Sequence, residues 1–71
     1  MYPTYALEVR VDGRWILVDG TEASNRPHHY DTLRKEFDSL VRAAKPYAKH
    51  FVAGFAYRIS SNGRTVDIWS A

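Results

Sequence analysis

The sequence predicts an α+β domain of order ββαββ: a four-stranded antiparallel sheet with one helix packed on one face. Three observations predict it. Asn62-Gly63 lies between two alternating runs, and Asp12-Gly13 lies between two more. Both dipeptides suit the two-residue type I′ turn, whose central positions need positive φ. Between these hairpins, Leu33, Phe37, Leu40, Val41 and Ala44 recur at helical spacing. At 71 residues the chain has room for one core, so residues 1–71 are read as a single domain.

The first hairpin runs from about Tyr5 to Val18. A two-residue turn sets Val11 against Arg14, Arg10 against Trp15, Val9 against Ile16, Glu8 against Leu17 and Leu7 against Val18. Leu7, Val9, Val11, Ile16 and Val18 then share an apolar face. Glu8, Arg10, Trp15 and Leu17 share the other. A one-residue slip would mix the two sets, so pattern and turn agree.

Residues from Asp19 to about Tyr30 form a long connection rich in Gly, Thr, Ser, Asn and Pro. The helix is expected from about Thr32 to Ala44, capped by Asp31 or Thr32, with Pro27 as an alternative early start. Asp38 and Arg42 form an i, i+4 pair. Pro46 disfavours helical geometry at Lys45, so the helix should stop or kink there. Tyr47 to His50 reads as a tight return, and His50 as a half-buried strand-edge residue.

In the second hairpin the same turn logic sets Ser61 against Arg64, Ser60 against Thr65, Ile59 against Val66, Arg58 against Asp67, Tyr57 against Ile68 and Ala56 against Trp69. Tyr57, Ile59, Val66 and Ile68, joined by Phe55, should face the helix. Ala56, Arg58, Ser60, Thr65, Asp67 and Trp69 should face away, with Arg58 and Asp67 as a cross-strand ion pair. The sheet orders 2-1-3-4 and 1-2-4-3 both satisfy the pattern.

Composition narrows the function classes. The net charge is +2, and residues 21–50 hold six Lys/Arg against four acids. This is a mild skew, whereas strong non-specific nucleic-acid binding needs a denser basic footprint. There is no cysteine, so disulfides and thiolate metal sites are excluded. Aromatic residues make up 14% of the chain, which favours a small core. No basic segment with a following apolar run opens the sequence, and no stretch approaches the roughly 20 apolar residues that span a bilayer. The reading is a soluble cytoplasmic protein without a membrane role.

No catalytic or cofactor motif stands out. Ser60 and Ser61 flank a turn, where serine is favoured for conformational reasons. Ser24 and Ser39 have no evident base nearby. His28 and His29 are adjacent and poorly spaced for a shared metal. The segment Asn25–Tyr30 precedes the helix, where Arg26 and the imidazoles could attract an anion. A solvated, helix-capping loop explains it more simply. No cofactor is expected, and the chain is read as non-enzymatic.

The sheet face away from the helix carries the functional reading. Trp15, Trp69, Leu17, Arg10 and Arg58 all point there in the inferred registers, with Arg10 placed for a cation–π contact with Trp15. Trp and Arg dominate interface hot spots. These five residues are the candidate partner-binding set, for a larger protein or for a second copy of the chain. Two other readings compete. A terminal segment such as Met1-Tyr2-Pro3 could simply cover the tryptophans. Alternatively, a sheet displaying aromatics and arginines could stack single-stranded nucleic acid.

The chain also resembles small ββαββ proteins encoded by phages and other mobile elements, some anti-CRISPR proteins among them. The first hairpin, Tyr5 to Trp15, the single amphipathic helix and the segment Tyr57-Arg58-Ile59 carry the resemblance, which is architectural and covers most of the chain. It implies a non-enzymatic protein that binds a larger host protein or complex. Nucleic-acid mimics of that kind are strongly acidic and this chain is not, so the resemblance implies an inhibitor acting by steric block.

Overall fold

Asp12 and Gly13 have φ of 52° and 76°, and Asn62 and Gly63 have φ of 50° and 82°. Both hairpins therefore close through the left-handed two-residue turns that their sequences favour. In the computed structural model, which describes residues 2–71, the elements are β1 (Tyr5–Val11), β2 (Arg14–Leu17), α1 (His29–Ala44), β3 (Ala56–Ser61) and β4 (Arg64–Ser70), with a 3₁₀ helix over Lys45–His50. The sheet is antiparallel, in the order β2-β1-β3-β4.

The core lies between α1 and the two central strands. Leu7 and Ile59, paired across β1 and β3, are completely buried beneath Leu33 and Phe37. Ala44 continues the buried helical stripe, and Leu40 and Val41 flank it. A helix is about 10 Å across and strands lie about 4.8 Å apart, so one helix covers about two strands. Val11 and Ile16 therefore stay exposed at the tip and edge of the first hairpin, on the face where the helix was expected to cover them.

The first hairpin keeps the register of its sequence pattern, from Val11↔Arg14 to Glu8↔Leu17. The second departs from it. Ser61↔Arg64 and Ser60↔Thr65 pair as expected, but Ile59 then pairs with Asp67, Arg58 with Ile68, Tyr57 with Trp69 and Ala56 with Ser70. Val66 is left over as a bulge, and every later residue of β4 changes face. Asp67 and Trp69 turn toward the helix side. Ile68 turns away, and Val66 is exposed. The expected placement of Trp69 on the open face, and of Val66 and Ile68 under the helix, is thus corrected. The physical reason is reach. β4 is an edge strand, and from there the long Trp69 can flank the core, while Asp67 meets Arg34 of the helix.

Four local expectations also change. The helix begins at His29, after a left-handed His28 (φ 67°), so neither Asp31 nor Thr32 caps it. Asp31 instead lies in the first turn, where a carboxylate complements the helix dipole. The α-helix does stop at Ala44, as Pro46 leads one to expect, but Lys45 keeps helical angles, and Pro46 sits in the first turn of the 3₁₀ segment, where its missing N–H costs least. His50 ends that segment exposed, not at a strand edge. Asp38 pairs with Arg34 at 3.2 Å rather than with Arg42, because Arg34 is already held toward the sheet by Asp67 and over the Phe37 ring at 5.3 Å.

The long connection is pinned to the sheet. Tyr5 and Ser24 exchange backbone hydrogen bonds of 3.0 and 3.1 Å, extending the β2 edge beyond Leu17. Behind the core, Phe51 stacks on Phe55 at 4.4 Å, Phe55 meets Tyr57 edge-on at 5.2 Å, and Tyr57 stacks with Trp69 at 6.4 Å.

Candidate functional site

The sheet face away from α1 is built from three cross-strand rows. Trp15, Arg10, Ala56 and Ser70 form one, Leu17, Glu8, Arg58 and Ile68 the next, and Ala6, Ser60 and Thr65 the third. Strand alternation brings these side chains to one side. Ala6, Ala56 and Ser60 are buried, so the longer side chains lie down over the sheet instead of standing into solvent.

Arg58 is the centre of the arrangement. Its Nε donates to Glu8 Oε1 at 2.9 Å, and its Nη1 donates to Thr65 Oγ1 at 2.9 Å. Its guanidinium carbon lies 4.3 Å from the centre of the Trp15 ring. The Arg58 and Glu8 side chains are only 13% and 18% exposed, although no helix covers this face. A charged pair so sheltered is held by its geometry and by the aromatic plane beside it.

Arg10 also lies over the same ring, at 5.1 Å, as its cross-strand position implied. Its Nε donates to the Gly54 carbonyl at 2.7 Å, which ties the loop before β3 to the first hairpin. Among the described residues no carboxylate forms an ion pair with Arg10. Leu17 and Ile68 end the middle row at opposite edges of the sheet, 44% and 45% exposed.

Of the five residues singled out from sequence, the structure brings Trp15, Arg10, Arg58 and Leu17 onto one face. Trp69 lies on the other. The expected Arg58–Asp67 pair is replaced by Arg58–Glu8, because the bulge removes Asp67 and the β1–β3 register supplies Glu8. Glu8 could be placed on this face from its hairpin. Its partner could not, since nothing in the sequence specifies how the two hairpins align. Ile68 was missed for the same kind of reason: only the bulge exposes it there. As for a covering N-terminal segment, Met1 lies outside the described residues, and Tyr2 is exposed.

The segment before the helix closes on itself. Arg26 pairs with Glu22 and donates from Nε to Ser24 Oγ at 3.2 Å. His29 Nε2 donates to the Glu22 carbonyl at 2.9 Å. These bonds line the cleft between the connection and the first helical turns and engage Arg26 and His29 within the connection, while the expected capping role is not met: the helix N-cap, His28, makes no side-chain cap hydrogen bond. Among the described residues no three His, Asp or Glu side chains converge as a metal site. No helix among the described residues is long and apolar enough to cross a membrane.

Set against known proteins, this arrangement has no counterpart to borrow a role from: no family model, curated protein or solved structure matches the chain.

Proposed function

We propose that this protein is a small binding module that docks a larger protein on its open sheet face. One observation carries the reading: two exposed apolar side chains, Leu17 and Ile68, bracket a Trp–Arg cluster already fixed by hydrogen bonds. Fixed aromatic and arginine groups lose little entropy on binding, and they concentrate interface energy. A role as steric inhibitor of a host complex suits a module of this size with a net charge of only +2.

The test is affinity capture from cells of the source organism with the natural chain and a Leu17→Asp/Ile68→Asp double variant. Circular dichroism would confirm that both fold. A partner recovered by the natural chain and lost by the variant supports the reading. Identical recovery by both sinks it. Sedimentation velocity separates a second copy from a different partner.

A further inference from the structure

Resting on that protein-binding reading, we infer that the docked segment presents a carboxylate to Arg10, flanked by apolar side chains that seat on Leu17 and Ile68. The partner surface is acidic and amphipathic.

The inference follows from how the two arginines differ. Arg58 is neutralised by Glu8 and spends two donor nitrogens within the protein, on Glu8 and Thr65. Among the described residues Arg10 spends only Nε, on a backbone carbonyl. No carboxylate among the described residues pairs with it. The face therefore carries one uncompensated positive charge beside Trp15. That charge is held in place from its Nε side, and among the described residues the two terminal nitrogens have no protein acceptor. Those nitrogens form the fork that matches a carboxylate bidentately. Half-burial of Arg10 strengthens such a contact relative to a fully solvated one.

A phosphate backbone would also satisfy a guanidinium, but the rest of the face argues for protein. Base stacking needs an open aromatic plane, and both guanidiniums already lie over the Trp15 ring. The flanking groups are the aliphatic Leu17 and Ile68, where a nucleic-acid groove would place further cations. Apolar ends around a single fixed cation complement an acidic residue set between apolar ones.

Two probe peptides test this, acetyl-Leu-Ser-Glu-Ser-Leu-amide and its Gln counterpart, whose extended form puts both Leu and the central Glu on one side with the Leu about 14 Å apart, the span of three strand spacings. They are titrated into the isotopically labelled protein while the Trp15 indole and Arg10 Nε resonances are followed by NMR. One charge-assisted bidentate contact should make the Glu peptide bind about tenfold more tightly. Arg10→Gln should abolish the preference, and Arg10→Lys should restore part of it. The spectra themselves report whether each variant is folded. Equal binding of the two peptides, or a preference that survives Arg10→Gln, overturns the inference. Tighter, salt-sensitive binding of a dT12 oligonucleotide overturns it in favour of phosphate recognition. If the peptides show no preference while Leu17→Asp/Ile68→Asp still loses its captured partner, the acidic-partner inference fails and the binding-module reading stands.

Discussion

Arg34 of the helix and Asp67 of the outer strand form an ion pair across the rim of the helix–sheet interface. The pair exists because β4 bulges at Val66, which turns Asp67 from the open face to the helix face. The Arg34 hydrogen bond holds the Asp67 carboxyl below the usual carboxylate range, against the opposing effect of burial and with help from the Ile68 N–H. Arg34 is raised in turn, chiefly by Asp67 and then by Tyr30. The side chains are 37% and 41% exposed, so solvent limits the pair to about 0.5–1 kcal/mol.

That pair makes stability depend on pH in a defined direction. A carboxyl with a lowered folded-state pKa stabilises the protein above its unfolded value of about 3.9, and the contribution disappears as pH falls through the folded value. Asp67→Asn should therefore be less stable than the natural chain at neutral pH, and the gap should close below about pH 4. Urea unfolding of both proteins across pH checks it. A gap that stays constant into acid would mean that Asp67 acts through packing.

Deleting Val66 should leave the fold intact. The deletion makes the second hairpin regular while keeping Ile59 opposite Asp67 and Tyr57 opposite Trp69. Its cost should stay within about 1 kcal/mol, because the lost side chain is largely exposed. Nuclear Overhauser contacts between Tyr57 and Trp69 should persist. If β4 instead followed a regular register, Trp69 of the natural chain would lie opposite Ala56, and the Tyr57–Trp69 contacts would be missing from the natural chain and appear only after the deletion.

The centre of the core should tolerate little. Leu7 is fully buried against Leu33, Phe37 and Ile59, and Leu→Ala at such a site costs about 2–5 kcal/mol. A domain this small has little stability to spare. Leu7→Ala should therefore be largely unfolded at 37 °C in thermal denaturation, whereas Leu17→Ala should shift the transition only slightly.

The two tryptophans should behave differently. Trp69 flanks the core and stacks with Tyr57, so Trp69→Ala should cost about 2–3 kcal/mol, somewhat less than a fully buried aromatic. Trp15 packs against two guanidiniums, and Trp15→Ala should cost about 1–2 kcal/mol. Equilibrium denaturation of the two variants gives the order. The reverse order would place the principal hydrophobic anchor on the open face.

Much of this fold is legible in the chain because its signals are local. Asp12-Gly13 and Asn62-Gly63 specify their turns through the backbone angles they accept. Alternation specifies both faces of the first hairpin, and the spacing of Leu33, Phe37 and Ala44 specifies the buried helical stripe. Arg10 over Trp15 also follows from one turn and a short register. The rest depends on meetings between distant segments. The pairing of Glu8 with Arg58 requires the β1–β3 alignment, which no turn dictates. The bulge at Val66 runs against the strict alternation of its own strand, and it stands because Arg34 and the edge of the core lie on the side to which Asp67 and Trp69 must turn. Local backbone chemistry determined the elements and their order. Only packing between them decided which of the two tryptophans belongs to the core and which to the open surface.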